Sequence, residues 1–96
     1  MEVIDLKSRR AKAVRTCHKV DDTIDLIRSV VGRKYVVYVL YGGTLSNIIY
    51  VVKDREGLHL EINCGDYIVK RKGGHPIALN NEQIEAIYGL DLKGEK

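Results

Sequence analysis

Two stretches of this chain have no polar side. Tyr35 to Tyr41 (Tyr-Val-Val-Tyr-Val-Leu-Tyr) and Ile48 to Val52 (Ile-Ile-Tyr-Val-Val) are unbroken runs of aromatic and aliphatic residues. Such residues suit a pleated, packed surface. Runs without alternation read as central strands covered on both faces. Both are far shorter than the roughly 20 apolar residues needed to cross a bilayer, so no membrane association is expected. A chain of 96 residues must therefore hide two strands inside one small core. A domain of this size buries only about 60–65% of its unfolded surface, so association with another subunit would add to a modest stability.

The rest of the chain supplies the cover. Residues 11–19 alternate imperfectly, Ala11, Ala13, Arg15 and Cys17 against Lys12, Val14, Thr16 and His18, and read as a half-buried strand. Ile24, Ile27 and Val31 fall on one helical stripe, with Asp21-Asp22 ahead as a cap and Gly32 behind, which predicts a helix over 22–31. Asp54-Arg55-Glu56-Gly57 is turn chemistry. Leu58, Leu60, Ile62 and Cys64 alternate with His59, Glu61 and Asn63, an amphipathic strand. Tyr67-Ile68-Val69 begins another, ended by Lys70-Arg71-Lys72-Gly73-Gly74. His75 to Leu79 reads as an edge strand, where Pro76 is tolerated. Asn80 with Gln83 makes a capping-box pair for a last helix carrying Ile84, Ile87 and Tyr88 and ended by Gly89. The order is β-α-β-β-β-β-(β)-α. It predicts an α+β fold: a single small domain over 11–90, with a curved, mainly antiparallel sheet of about five strands and two short helices. Residues 1–10 read as a basic arm or frayed strand and 91–96 as a polar tail.

Charge is uneven. Residues 1–19 hold six basic and two acidic side chains, a balance of +4; the other ten basic and eleven acidic side chains give −1, for a net +3. Lys7, Arg9, Arg10, Lys12 and Arg15, joined by Lys70, Arg71 and Lys72 if the fold gathers them, could neutralise phosphates, which makes a nucleic-acid-binding module one expectation. The N-terminal run has no interleaved aromatics, so base stacking is not indicated there. The same charges would also discourage edge-to-edge aggregation. Capture of a small anionic metabolite in the sheet concavity by Arg15, His59 or the Lys70 cluster is a second expectation.

Catalytic patterns are weak. His59 and Glu61 share a strand face, and a His beside a carboxylate can act as a general base, but that is also the composition of a solvated face, and no Ser or Cys is spaced to serve as nucleophile. Gly42-Gly43 and Gly73-Gly74 lie between strands and read as hairpin turns rather than phosphate loops. Cys17, His18, His59, Cys64 and His75 are scattered, so neither metal nor cofactor is expected. Met1 to Asp5 lacks the start of a secretory signal. Two cysteines make no framework and read as reduced in a cytoplasmic protein, with Cys64 a small core residue. Six Tyr provide all the aromatic area, since Phe and Trp are absent. Tyr35, Tyr38, Tyr41 and Tyr50 flank the apolar strands and are candidates for a protein interface.

Gly65-Asp66-Tyr67-Ile68-Val69-Lys70, with Gly74, Ile84, Glu85 and Tyr88 beyond it, resembles the C-terminal signature of small proteins encoded by phages and prophages of Gram-positive bacteria. Lys7 to Arg10, Ala11 to Cys17 and Asp22 to Gly32 match that family's order of basic run, apolar strand and acidic-capped helix. The chain departs from its pattern at Ala11, Arg15, Lys19 and Pro76, so a shared fold is implied more than a shared site. The resemblance implies an accessory protein of a mobile element that acts inside the host cell by binding a host protein of the defence or replication machinery. It implies no catalytic residues. A homodimer is compatible with this expectation.

Overall fold

The computed structural model describes residues 3–6, 11–41 and 47–88. Seven strands and two helices follow in the order β1 (Ile4–Leu6), β2 (Ala11–Arg15), α1 (Val20–Val31), β3 (Val36–Tyr41), β4 (Ile48–Lys53), β5 (His59–Asn63), β6 (Tyr67–Arg71), β7 (Ile77–Leu79) and α2 (Asn81–Tyr88). All pairings are antiparallel. The α+β class and the two helices are as the sequence predicts, but the strands are divided between two sheets. Sheet A has the order β1-β2-β6-β7 and sheet B the order β3-β4-β5. Ile4–Leu6 pairs with β2, which places a short strand inside the segment read as a basic arm or frayed strand. Lys7, Arg9, Arg10, the Gly42-Gly43 turn and the tail over 91–96 lie outside the described residues. Among the described residues no helix is long and apolar enough to cross a membrane.

Sheet A is the middle layer. Ala11, Ala13, Tyr67, Val69 and Leu79 project from one side and bury Ile84 of α2. Val14 and Ile68 project from the other, onto Ile27 and Val31 of α1 and onto Val37, Tyr50, Val52 and Ile62 of sheet B. This explains the imperfect alternation of residues 11–16. β2 and β6 lie inside the sheet and are packed on both sides, so Ala13 and Val14 are both buried, as are Tyr67, Ile68 and Val69. β7 is an edge strand, with Pro76 just ahead of it.

Helix α1 begins two residues earlier than its apolar stripe suggests, and Asp21-Asp22 does not cap it. Lys19 occupies the cap position without a side-chain bond, and the two aspartates lie in the first turn. There they act on the positive end of the helix dipole rather than on a particular N–H. Gly32 terminates the helix with φ 91° and ψ −178°, a region open essentially to glycine alone. At α2 the expected box is present in both directions: Gln83 N–H donates to Asn80 Oδ1 at 2.8 Å, and Asn80 N–H donates to Gln83 Oε1 at 2.9 Å.

Buried Thr16 ties the end of β2 to the turn that leads into β6. Its hydroxyl donates to the Asp66 carbonyl at 2.8 Å, with the Asn63 carbonyl at 3.1 Å, and accepts from Gly65 N–H at 3.0 Å. Replacing the hydroxyl by a methyl removes these bonds while each backbone group keeps one main-chain partner, at a cost of about 1 kcal/mol. Thr16→Val is therefore expected to lose that much stability in urea unfolding. A loss below about 0.5 kcal/mol would mean that the backbone bonds hold this turn unaided.

Candidate functional site

Of the two apolar runs, only one is central. β4 lies between β3 and β5, and Tyr50, Val51 and Val52 are all buried. β3, read from the sequence as covered on both faces, is an edge strand with one face open. Pairing gives β3 no second neighbour among the described residues. Val37 and Val39 point into the core, whereas Val36, Tyr38 and Leu40 lie on the opposite side.

The register makes that outer face a three-by-three array. Val36, Lys53 and His59 form one row, Tyr38, Val51 and Glu61 the next, and Leu40, Ile49 and Asn63 the third. Val51, at its centre, is fully buried by its neighbours. The β5 column is polar, and His59 Nε2 lies 3.1 Å from Glu61 Oε2 with both side chains open to solvent. An exposed pair of this kind contributes about 0–1 kcal/mol. The β3 column is apolar and exposed: Val36 is 61% accessible and Leu40 45%, with Tyr41 at the strand end 54% accessible. β3 carries no charge, no proline and no glycine. Its one described edge contact is a long one, from Arg28 Nη2 to the Val37 carbonyl at 3.5 Å.

A basic rim closes one end of this face. A depression of about 270 Å³ is lined by Val36 and Tyr38 together with Arg33, Lys34, Lys53 and Arg55, four cations against the one carboxylate of Asp54. Asp54 shapes the turn that carries Arg55, since its Oδ1 accepts from the N–H groups of Glu56 and Leu58, both at 2.9 Å. Those bonds, the Leu58 one foremost, hold its carboxyl below the usual range. Lys34 is engaged with Glu56 at 3.5 Å.

The four tyrosines expected at an interface part company. Tyr41 is exposed and Tyr38 half-buried on the outer face. Tyr35 is buried, its hydroxyl 3.5 Å from His75 Nδ1. Tyr50 is wholly buried and donates its hydroxyl hydrogen to the Cys17 carbonyl. In a chain without Phe or Trp these two fill the core, and they are not available to a partner. Val36, Leu40, Arg33, Lys53 and Arg55 were not among the residues expected at an interface.

The basic residues also divide. Lys12 and Lys70 are direct cross-strand partners, and Arg71 and Lys72 follow at the end of β6. Arg15 lies on the α2 side of sheet A, 5.8 Å from the centre of the Tyr67 ring. Arg15, His59 and Lys70, the alternative anchors for a small anion, therefore stand on three different surfaces. Cys64 packs against the main core, and burial raises its thiol pKa. Among the described residues no three His, Cys, Asp or Glu side chains gather as a metal site. Comparison of the chain with protein-family models, with curated proteins and with solved structures gives no match.

Burial raises the Tyr50 phenol above its ordinary value, and the same cause raises that of Tyr67. A group held neutral in the folded state contributes stability that is complete below the unfolded value of about 10 and is lost as pH climbs through the folded one. Urea unfolding of the wild type should therefore weaken from pH 9 to 11 more steeply than that of Tyr50→Phe. The variant should start about 1 kcal/mol lower at neutral pH for want of the bond to Cys17. Parallel pH profiles would contradict the burial of Tyr50.

Proposed function

We propose that this chain is a non-enzymatic binding protein whose partner is another protein, taken up along the free edge and outer face of sheet B. One observation carries the reading: an uncharged edge strand presents Val36, Leu40 and Tyr41 to solvent. Proteins ordinarily blunt a long apolar edge with charge, proline or a bulge, because it templates pairing with another chain. Here none of these devices is on β3. An added strand would gain main-chain hydrogen bonds along β3 and apolar contacts at alternate positions.

Charge complementarity favours an acidic partner segment. Arg33, Lys53 and Arg55 flank the apolar column at one end, and carboxylates placed there would steer encounter and fix register. The resemblance to phage and prophage proteins supports a host protein in the cytoplasm as the source of that segment. The β3 strand of a second copy carries no carboxylate to meet that rim, so a second copy fits less well.

Tagged wild type and Val36→Lys/Leu40→Lys should be compared in pull-downs from nuclease-treated bacterial lysate. Both substituted positions are exposed, so the variant should unfold within about 1 kcal/mol of the wild type. A stoichiometric protein retained by the wild type and lost by the variant is the expected outcome. Equal retention by both, or no retained protein, would contradict the proposal. Self-association abolished by the variant would make the partner a second copy.

A further inference from the structure

We infer that the chain holds a second, separate binding site, a cleft between the β2–β6 strand ends and the last turn of α1 that takes a linear chain of phosphate groups. The cleft is about 400 Å³, and Lys12, Lys70, Arg71 and Lys72 contribute its charge. Lys12 and Lys70 stand directly opposite each other in the register. Like charges so placed repel. Among the described side chains no carboxylate lies within ion-pair distance of any of the four cations, and Asp5 stands opposite Lys12 in the β1–β2 register. The fold thus gathers four cations around the cleft, with one acidic residue, Asp5, in register beside Lys12.

The purely structural explanation is that these side chains answer the negative C-terminal end of α1, where Ser29 and Val30 form the other wall. The hydrogen bonds argue against it. Among the described residues, none of the four donates to a carbonyl of that last turn. The Arg28 carbonyl is taken by Gly32 N–H at 2.9 Å, and Lys70 Nζ turns to the Arg71 carbonyl at 3.1 Å. None of the described residues that line the cleft is acidic, so the remaining donors face it without a carboxylate among them.

Lys70 points to an extended ligand rather than a single anion. It also lines a neighbouring depression of about 280 Å³ on the side of His75 and the Gly73-Gly74 turn. A chain of phosphates can run from one to the other past Lys70. The aromatic wall there is Tyr35, which is buried and has its hydroxyl at His75, so it offers no free ring for stacking. Recognition therefore falls on the phosphate backbone, without base preference. A single-stranded nucleic acid and inorganic polyphosphate share this chemistry.

The test is fluorescence anisotropy with a 15-nucleotide oligo(dT), the same length of oligo(U), and inorganic polyphosphate, from 50 to 200 mM salt. Four neutralised phosphates, at about −0.7 each, give a log–log salt slope near −3 and about 50-fold weaker oligonucleotide binding at the upper salt. Lys12→Glu/Lys70→Glu should lose at least about tenfold, whereas the charge-matched Arg15→Glu/Lys19→Glu, outside the cleft, should stay within about threefold. Lys70→Glu alone places opposite charges in register with Lys12, so it should lose binding without a fall in Tm. Lys12→Gln/Lys70→Gln serves if the double charge reversal misfolds. Binding of the oligonucleotides identifies the source as nucleic acid, and binding of polyphosphate alone identifies the other. No binding of any probe at 50 mM salt, or an equal loss in both charge-reversed pairs, would overturn the inference.

Discussion

The pairing of β2 with β6 is the constraint on which the rest of the molecule depends. Ala13 and Val69 sit opposite each other on one side of it, Val14 and Ile68 on the other, and all four are buried. One side becomes the floor under α2, the other the floor under α1 and sheet B. Thr16 fastens the end of this pair, from within the core, to the turn that follows β5. A small chain gains two cores from one sheet in this way. Nothing described is left to cover the far side of sheet B, so a second consequence follows: the outer face opens where the sequence is most apolar.

That consequence was only half legible in the sequence. Composition and period separated helices from strands well. The stripe of α1, the Asn80–Gln83 box, the alternation of β5 and the turn at Gly73 all appear where the residues place them. What composition could not separate is β3 from β4. Both are apolar throughout, yet one is central and the other an edge. A strand's own side chains report its affinity for cover, whereas cover is supplied by elements distant in the chain. A signal was nevertheless present. His59, Glu61 and Asn63 make one face of β5 polar, and register carries that face across Lys53 and Val51 to Val36, Tyr38 and Leu40. A solvated column on one strand implies that its neighbours' side chains on the same face are near solvent as well. Asp21-Asp22 illustrates a different limit. Acidic residues favour a helix start over a whole turn, so they mark the turn without marking the cap.

The two surfaces differ in physics and in position. The edge of sheet B combines apolar area with a basic rim, a combination suited to a protein strand carrying carboxylates. The cleft beside Lys12 and Lys70 is a concentration of charge with no free aromatic ring, suited to phosphates. In the sequence Lys12, Arg15 and Lys70 are equivalent as basic residues. Register brought the two lysines together and sent Arg15 to the opposite side of sheet A.

The central claim, that β3 is an open edge, can be read amide by amide. Hydrogen–deuterium exchange of the dilute free protein, resolved by NMR, should show alternate β3 amides exchanging rapidly while those of β4 and β6 remain protected. Protection of every β3 amide to the level of β4 would contradict it, because the edge would then already be covered within the molecule.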